Sequence, residues 1–232
     1  MGDVNLYSLM KFGSEENIYD LYNNGTIYLN TLEYFKKLED NTLRGDSYEG
    51  VAEILNYPPG KLQLDFKDGR ALRDLNYQSL HLRKTYKKLV GNIYSLYAIR
   101  PEHLANTNEF RPDLRNQEFG SHFLMIESDG LIEFLDKVFD ELYRKGIPHE
   151  YGFVNYYSRL EVNRTLNIFN KPNDYAYQNE FRIYAQHMIN EPLEINIGSL
   201  KHISRIFETK ILSDFTIERQ DRVPKFEGEK AL

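Results

Sequence analysis

The sequence predicts an α+β fold in one domain, with few helices around a mixed, mostly antiparallel split sheet. Three observations carry that expectation. Many short apolar runs are separated by turn residues, a single long amphipathic stripe has helical spacing, and no regular βαβ rhythm points to a doubly wound sheet. No Pro/Gly/Ser-rich stretch divides the 232 residues, so residues 1–232 read as one unit. With 41% hydrophobic and 14% aromatic residues the chain can bury a substantial core.

The elements follow in order. Leu6 to Phe12 reads as a strand, after which Ser14 is an N-cap with Glu15 and Glu16 in the first helical turn. Ile18, Leu21 and Tyr22 give that helix an apolar face, and Asn23, Asn24 and Gly25 tolerate the left-handed conformation at its end. Thr26 to Leu29 restarts as a strand ending on Asn30, and Thr31 to Leu38 reads as a second short helix. Arg44 to Gly50 is a polar turn. Strands are expected near Val51–Asn56 and Leu62–Phe66, split by Pro58-Pro59-Gly60, and then over Asn92–Ile99 and His122–Glu127.

The clearest helix spans about residues 130–145, where Leu131, Phe134, Leu135, Val138, Phe139 and Leu142 form one stripe that Asp129 would cap. After it come mainly strands, at Tyr151–Tyr157, Glu180–Gln186, Leu193–Ile197 and Ile211–Arg219.

Composition narrows the function. The absence of cysteine removes disulfides, thiolate nucleophiles and thiolate metal sites, and suits a reducing compartment. Residues 1–20 carry charges among their apolar positions and form neither a signal-peptide core nor a membrane span, so a cytoplasmic protein with no membrane partner is expected. A formal charge of -6 argues against a surface coated for nonspecific nucleic-acid binding. One segment departs from that average, a candidate basic insertion over residues 65–90. Between Arg70 and Lys88 its Arg70, Arg73, Arg83, Lys84, Lys87 and Lys88 face one acid, Asp74, with Tyr77 and Tyr86 interleaved. It reads either as the solvated face of a helix whose Leu72, Leu75, Leu80 and Leu82 point inward, or as a contact for an anionic partner through Arg83, Lys84, Lys87 and Lys88.

No P-loop, dinucleotide fingerprint, nucleophile elbow or histidine pair at metal-ligand spacing occurs, so no metal is expected. What remains is Tyr175-Ala-Tyr-Gln-Asn-Glu-Phe-Arg-Ile-Tyr184. In an extended chain Gln178, Glu180 and Arg182 project to one side, roughly 6–7 Å apart, with Phe181 and Ile183 on the other. Gln178, Glu180 and Arg182 would then line a wet face, either as an ordinary Glu-Arg surface pair or as a catalytic surface.

This strand resembles the Gln/Glu-x-Glu strand of the ADP-ribosyltransferase superfamily, and the N-terminal strand, helix, strand unit looks like that superfamily's opening. Leu21 to Phe35 and Phe169 to Ile183 look like the two ends of a poorly characterised bacterial and phage-associated group within it. The resemblance implies an ADP-ribosyltransferase-like fold and an enzyme that takes NAD as substrate. Glu180 would stabilise the oxocarbenium-like state formed as nicotinamide leaves the ribose, and Gln178 would position the acceptor. Tyr28, Tyr34 and Phe35 are the aromatic candidates for stacking on nicotinamide. Lys11 stands where many relatives carry His or Arg, with Asn30 near the same end of the cleft. Lys can meet a diphosphate as a point charge but lacks the fork of Arg.

The acceptor would be a macromolecule, protein or nucleic acid, and a toxin or phage-defence role brings an antitoxin or immunity protein as a candidate partner. Two other readings stay open. One is a binding protein on the same scaffold without turnover, and the other a nuclease built on Glu208-Thr-Lys210 and the basic segment.

Overall fold

The computed structural model describes residues 6–37, 50–64, 73–87, 90–105, 107, 109–160 and 163–218. They begin with β1 (Ser8–Gly13), α1 (Glu15–Asn24), β2 (Thr26–Thr31), α2 (Leu32–Lys37), β3 (Val51–Tyr57), β4 (Gly60–Leu64), β5 (Arg73–Tyr77) and β6 (Leu80–Thr85). Next come β7 (Asn92–Ile99), β8 (Glu109–Phe110), β9 (His122–Ile126), α3 (Leu131–Arg144), β10 (His149–Phe153) and β11 (Asn155–Tyr157). The chain continues through β12 (Arg164–Thr165), β13 (Asn170–Pro172), β14 (Glu180–Ala185), β15 (Leu193–Asn196), β16 (Ser204–Glu208) and β17 (Ile217–Glu218). The architecture is α+β with mostly antiparallel pairing. Among the described residues no helix is long and apolar enough to cross a membrane.

An eight-stranded sheet carries the order β10-β14-β7-β1-β9-β16, with β2 added at the far end of β7 and β15 beyond β2. The pairing of β1 with β7 stops at Met10↔Tyr97, although β1 continues along β9 to Gly13↔His122. β7 takes up β2 only at Ile93 and Asn92. Between those two ladders the sheet is split, and among the described residues Tyr94, Ser95 and Leu96 have no strand partner on that side.

Burial holds the two faces. The stripe of α3 packs Leu131, Phe134, Leu135, Val138, Phe139 and Leu142 against Leu9, Ile126, Phe181 and Ile183. Each such side chain contributes about 1.5–3 kcal/mol by leaving water. On the opposite face Met10, Tyr97, Ile99, Phe123 and Leu212 form a second cluster, with the Phe123 and Phe207 rings stacked 5.2 Å apart. At the other end of the helix the capping differs from expectation. Gly130 occupies the cap position and makes no side-chain bond, so Asp129 does not cap α3.

α1 follows the sequence closely. The Ser14 hydroxyl accepts from Asn17 N at 3.4 Å, and Gly25 (φ 70) closes the helix with its N–H donated to Leu21 O at 2.9 Å. Ser14→Ala is expected to cost about 1 kcal/mol, read as a lowered urea midpoint at unchanged slope. An unchanged midpoint would mean that the cap bond contributes nothing.

Three other expectations are corrected. The helix proposed within residues 70–88 is instead strands β5 and β6, whose partners β4 and β3 supply ladders that local leucine spacing does not reveal. Leu75 and Leu82 are accordingly exposed, not inward. Arg70, Leu72 and Lys88 lie outside the described residues, as does the polar turn except for Gly50. The strand expected over Ile211–Arg219 is a 3-10 turn, Thr209–Ser213, followed by the two-residue β17, because Leu212 turns inward to fill the second cluster. The strand expected over Tyr151–Tyr157 breaks at Val154, whose N–H bonds to Glu180 O while β11 leaves to pair with β13.

Candidate functional site

A cavity of about 580 Å³ occupies the split in the sheet, a size within the range of small-molecule sites. One wall is Lys11 of β1 and the adjoining face of α1, and Tyr28 and Asn30 of β2 with Tyr34 and Phe35 of α2 form another. Ser95 of β7, Lys171 of β13, Gln178, and Glu180 and Arg182 of β14 complete it. Every residue singled out as catalytic or cofactor-binding therefore lines one cavity: Lys11, Tyr28, Asn30, Tyr34, Phe35, Gln178 and Glu180.

β14 sets the chemistry. Its Phe181 and Ile183 enter the α3 core, which turns Glu180 and Arg182 to the other face opposite Tyr97 and Ser95. This face is not the wet surface expected from the sequence, since Glu180 is 3% exposed and Arg182 0%. Tyr156 of β11 and Lys171 of β13 reach Glu180 from the neighbouring strands. The Glu180 Oε1 accepts from Ser95 Oγ at 2.5 Å and from Arg182 Nε at 2.7 Å, and its Oε2 meets Lys171 Nζ at 2.7 Å. Glu180 N donates to Tyr156 Oη at 3.0 Å, and Arg182 Nη1 donates to Ile168 O. Burial works to raise the Glu180 pKa, but the charges of Arg182 and Lys171 and their hydrogen bonds together hold the carboxyl well below the usual carboxylate range. It is ionised throughout the neutral range.

Gln178 reaches the site by another route than the one expected. It ends a 3-10 turn, Asn173–Gln178, and Asn179 then adopts the left-handed conformation (φ 38, ψ 49) before β14 begins. Strand alternation therefore does not align Gln178 with Glu180. Its Oε1 instead accepts from Lys171 Nζ at 2.9 Å, so one ammonium contacts both side chains.

Lys11 closes the split. Its Nζ donates to Ser95 O at 2.9 Å and lies 4.0 Å from the centroid of the Tyr94 ring. The ammonium thus meets a carbonyl that faces the gap between strands. With Lys171 and Arg182 it sets three cations around one carboxylate on the floor of the cavity, while Asp20 and Glu194 lie on the α1 and β15 side. Tyr28 and Tyr34 are 53% and 41% exposed at the mouth, and Tyr34 meets Phe35 edge-on at 5.4 Å. Asn30 spends its Oδ1 on Thr31 N at 3.0 Å.

The basic residues are elsewhere. Arg83, Lys84 and Lys87 are exposed along and just after β6 and do not line the cavity, and Lys84 stands 4.0 Å from Glu53. Glu208 and Lys210 pair with each other at 2.6 Å at the β16 edge of the sheet. Among the described residues no group of three or more His, Cys, Asp or Glu side chains could hold a metal ion.

Sequence reasoning missed Ser95, Lys171 and Tyr156. Ser95 had a legible signal as the lone hydroxymethyl in the otherwise buried run Asn92–Ile99. Lys171 had none, because β13 is three residues long and its pairing with β11 is parallel. Comparison of the chain with protein-family models, curated proteins and solved structures finds no match.

Proposed function

We propose that the chain is an ADP-ribosyltransferase-like enzyme that consumes NAD and transfers ADP-ribose to a macromolecule, protein or nucleic acid. The observation that supports it best is the convergence of the seven residues chosen from sequence on one cavity around an ionised, buried carboxylate. In this reading the positive floor takes the diphosphate, and Tyr28, Tyr34 and Phe35 offer ring faces to the nicotinamide end. The bond between ribose C1′ and nicotinamide nitrogen breaks with its electron pair staying on nicotinamide. Glu180 stabilises the cationic ribose, and an acceptor lone pair beside Gln178 forms the new bond at C1′ and releases its proton to solvent.

A second reading is a binding protein on the same scaffold. It is favoured by the engagement of both Glu180 oxygens, which leaves the carboxylate committed to Ser95, Arg182 and Lys171.

Labelled NAD incubated with the protein and cell lysate separates the two. Release of nicotinamide with label on a macromolecule is the expected result, and binding without release would leave the second reading in place. Calorimetry at low salt, where the charge contribution is largest, should show Lys11→Ala binding NAD at least about fivefold more weakly, equivalent to roughly 1 kcal/mol. Wild-type protein that neither binds nor cleaves NAD would sink both readings.

A further inference from the structure

We propose that Lys171 is a positioning residue that yokes Gln178 to Glu180, so that holding the acceptor and stabilising the ribose cation are done by one unit. The proposal rests on the transferase reading above. It stands on geometry. Lys171 Nζ lies 2.7 Å from Glu180 Oε2 and 2.9 Å from Gln178 Oε1, with its side chain only 10% exposed. An ammonium has three donors on one nitrogen and can serve two acceptors at that spacing. The backbone cannot supply the coupling itself, because the 3-10 turn and the left-handed Asn179 remove Gln178 from the β14 repeat.

The surroundings explain why the position suits lysine. The site already has its forked cation, Arg182, whose Nε serves Oε1 and whose Nη1 is held by Ile168 O. Ser95 approaches from β7 and Tyr156 from β11, and Lys11 enters the same cavity from β1. Lys171 itself is fixed on β13, where it is the register partner of Tyr156, and its Nζ lies 5.4 Å from the Tyr175 ring. A planar guanidinium in its place would spread its donors over several nitrogens and lose the single bridging atom.

The test uses the full chain with Lys171→Met and Lys171→Arg. Two readouts are taken: the partition of NAD between transfer to acceptor and hydrolysis, and NMR of the Glu180 side-chain carboxyl and the Gln178 side-chain amide. Lys171→Met should lower the ratio of transfer to hydrolysis at least tenfold, move the acid limb of the pH-activity profile upward, and shift both NMR signals together. Lys171→Arg keeps the charge and guards against a misfolded Met variant. It should leave the acid limb near its wild-type position, displace the Gln178 amide signal and still lower the transfer fraction. A general structural defect would reduce transfer and hydrolysis alike.

Wild-type partition in both variants, with the Gln178 amide signal unmoved, would overturn the proposal. Should the wild type release no nicotinamide, the transferase reading alone falls, and NMR then decides for Lys171. Joint displacement of the Gln178 and Glu180 signals in Lys171→Met supports the yoke, and no displacement sinks it.

Discussion

Glu180→Gln is expected to destabilise the protein by about 3–5 kcal/mol, because it leaves Lys171 and Arg182 buried against a neutral amide. On the wet strand face that the sequence predicts, the same substitution would spare folding. Burial of the cluster reverses that expectation. Adding Arg182→Met to Glu180→Gln should recover part of the loss by removing one stranded cation, and urea unfolding of the three proteins measures both steps. If Glu180→Gln unfolds like wild type, Glu180 carries no buried counter-charge.

The pH dependence has a definite sign. Because the folded carboxyl titrates below its unfolded value, its contribution is fully present above about pH 5 and is lost as pH falls toward the depressed folded value. Glu180→Gln should therefore lie furthest below wild type near neutrality and approach it in acid. At pH 7 nicotinamide release by the refolded variant should fall more than about tenfold, a loss of at least roughly 1.4 kcal/mol of transition-state stabilisation.

The second large effect is at the end of α1. A Cβ on Gly25 would lie 2.0 Å from the Gly198 carbonyl oxygen, at a φ of 70 that L side chains avoid. Gly25→Ala should cost about 3 kcal/mol from the backbone conformation and the collision together, lowering Tm by about 6–12 °C. Gly198→Ala is the control. Gly198 also has a positive φ, 77, but among the described residues nothing lies within 4 Å of its Cβ position, so only the conformational cost of about 1 kcal/mol should remain. Equal losses in the two variants would show that the close approach does not matter. Because β2 starts at Thr26, directly after Gly25, the Gly25 variant should also bind NAD more weakly through displaced Tyr28 and Asn30.

The parts of this fold that were legible in the sequence are those decided by local pattern. The stripe of α3, the bounds of β7 and the left-handed glycine ending α1 follow from spacing and residue type within one element. What was not legible depends on distant partners. Residues 73–77 and 80–85 form strands because β4 and β3 pair with them, and the exposed Leu75 and Leu82 carry no trace of that pairing. The candidate site divides the same way. Glu180 and Arg182 share a face as the strand period requires, but their burial comes from β7, β11 and β13. Gln178 does not hold the strand position that its spacing from Glu180 predicts. Asn179, a residue type that tolerates the left-handed conformation, was the local warning.

The split sheet also fixes when a working cavity can exist. Its polar floor is drawn from positions 11, 95, 171 and 180, and β14 inserts between β7 and β10, both of which precede it in the chain. During synthesis Lys11 of β1 and the aromatic residues of β2 and α2 emerge long before the carboxylate strand, whereas β15, the partner of β2, follows it. Non-local strand pairing of this kind closes large loops and is slow compared with helix formation. A nascent chain that ends before β14 therefore carries the Lys11 side of the cavity without Glu180 or Arg182, so the cavity is complete only after most of the chain has been made.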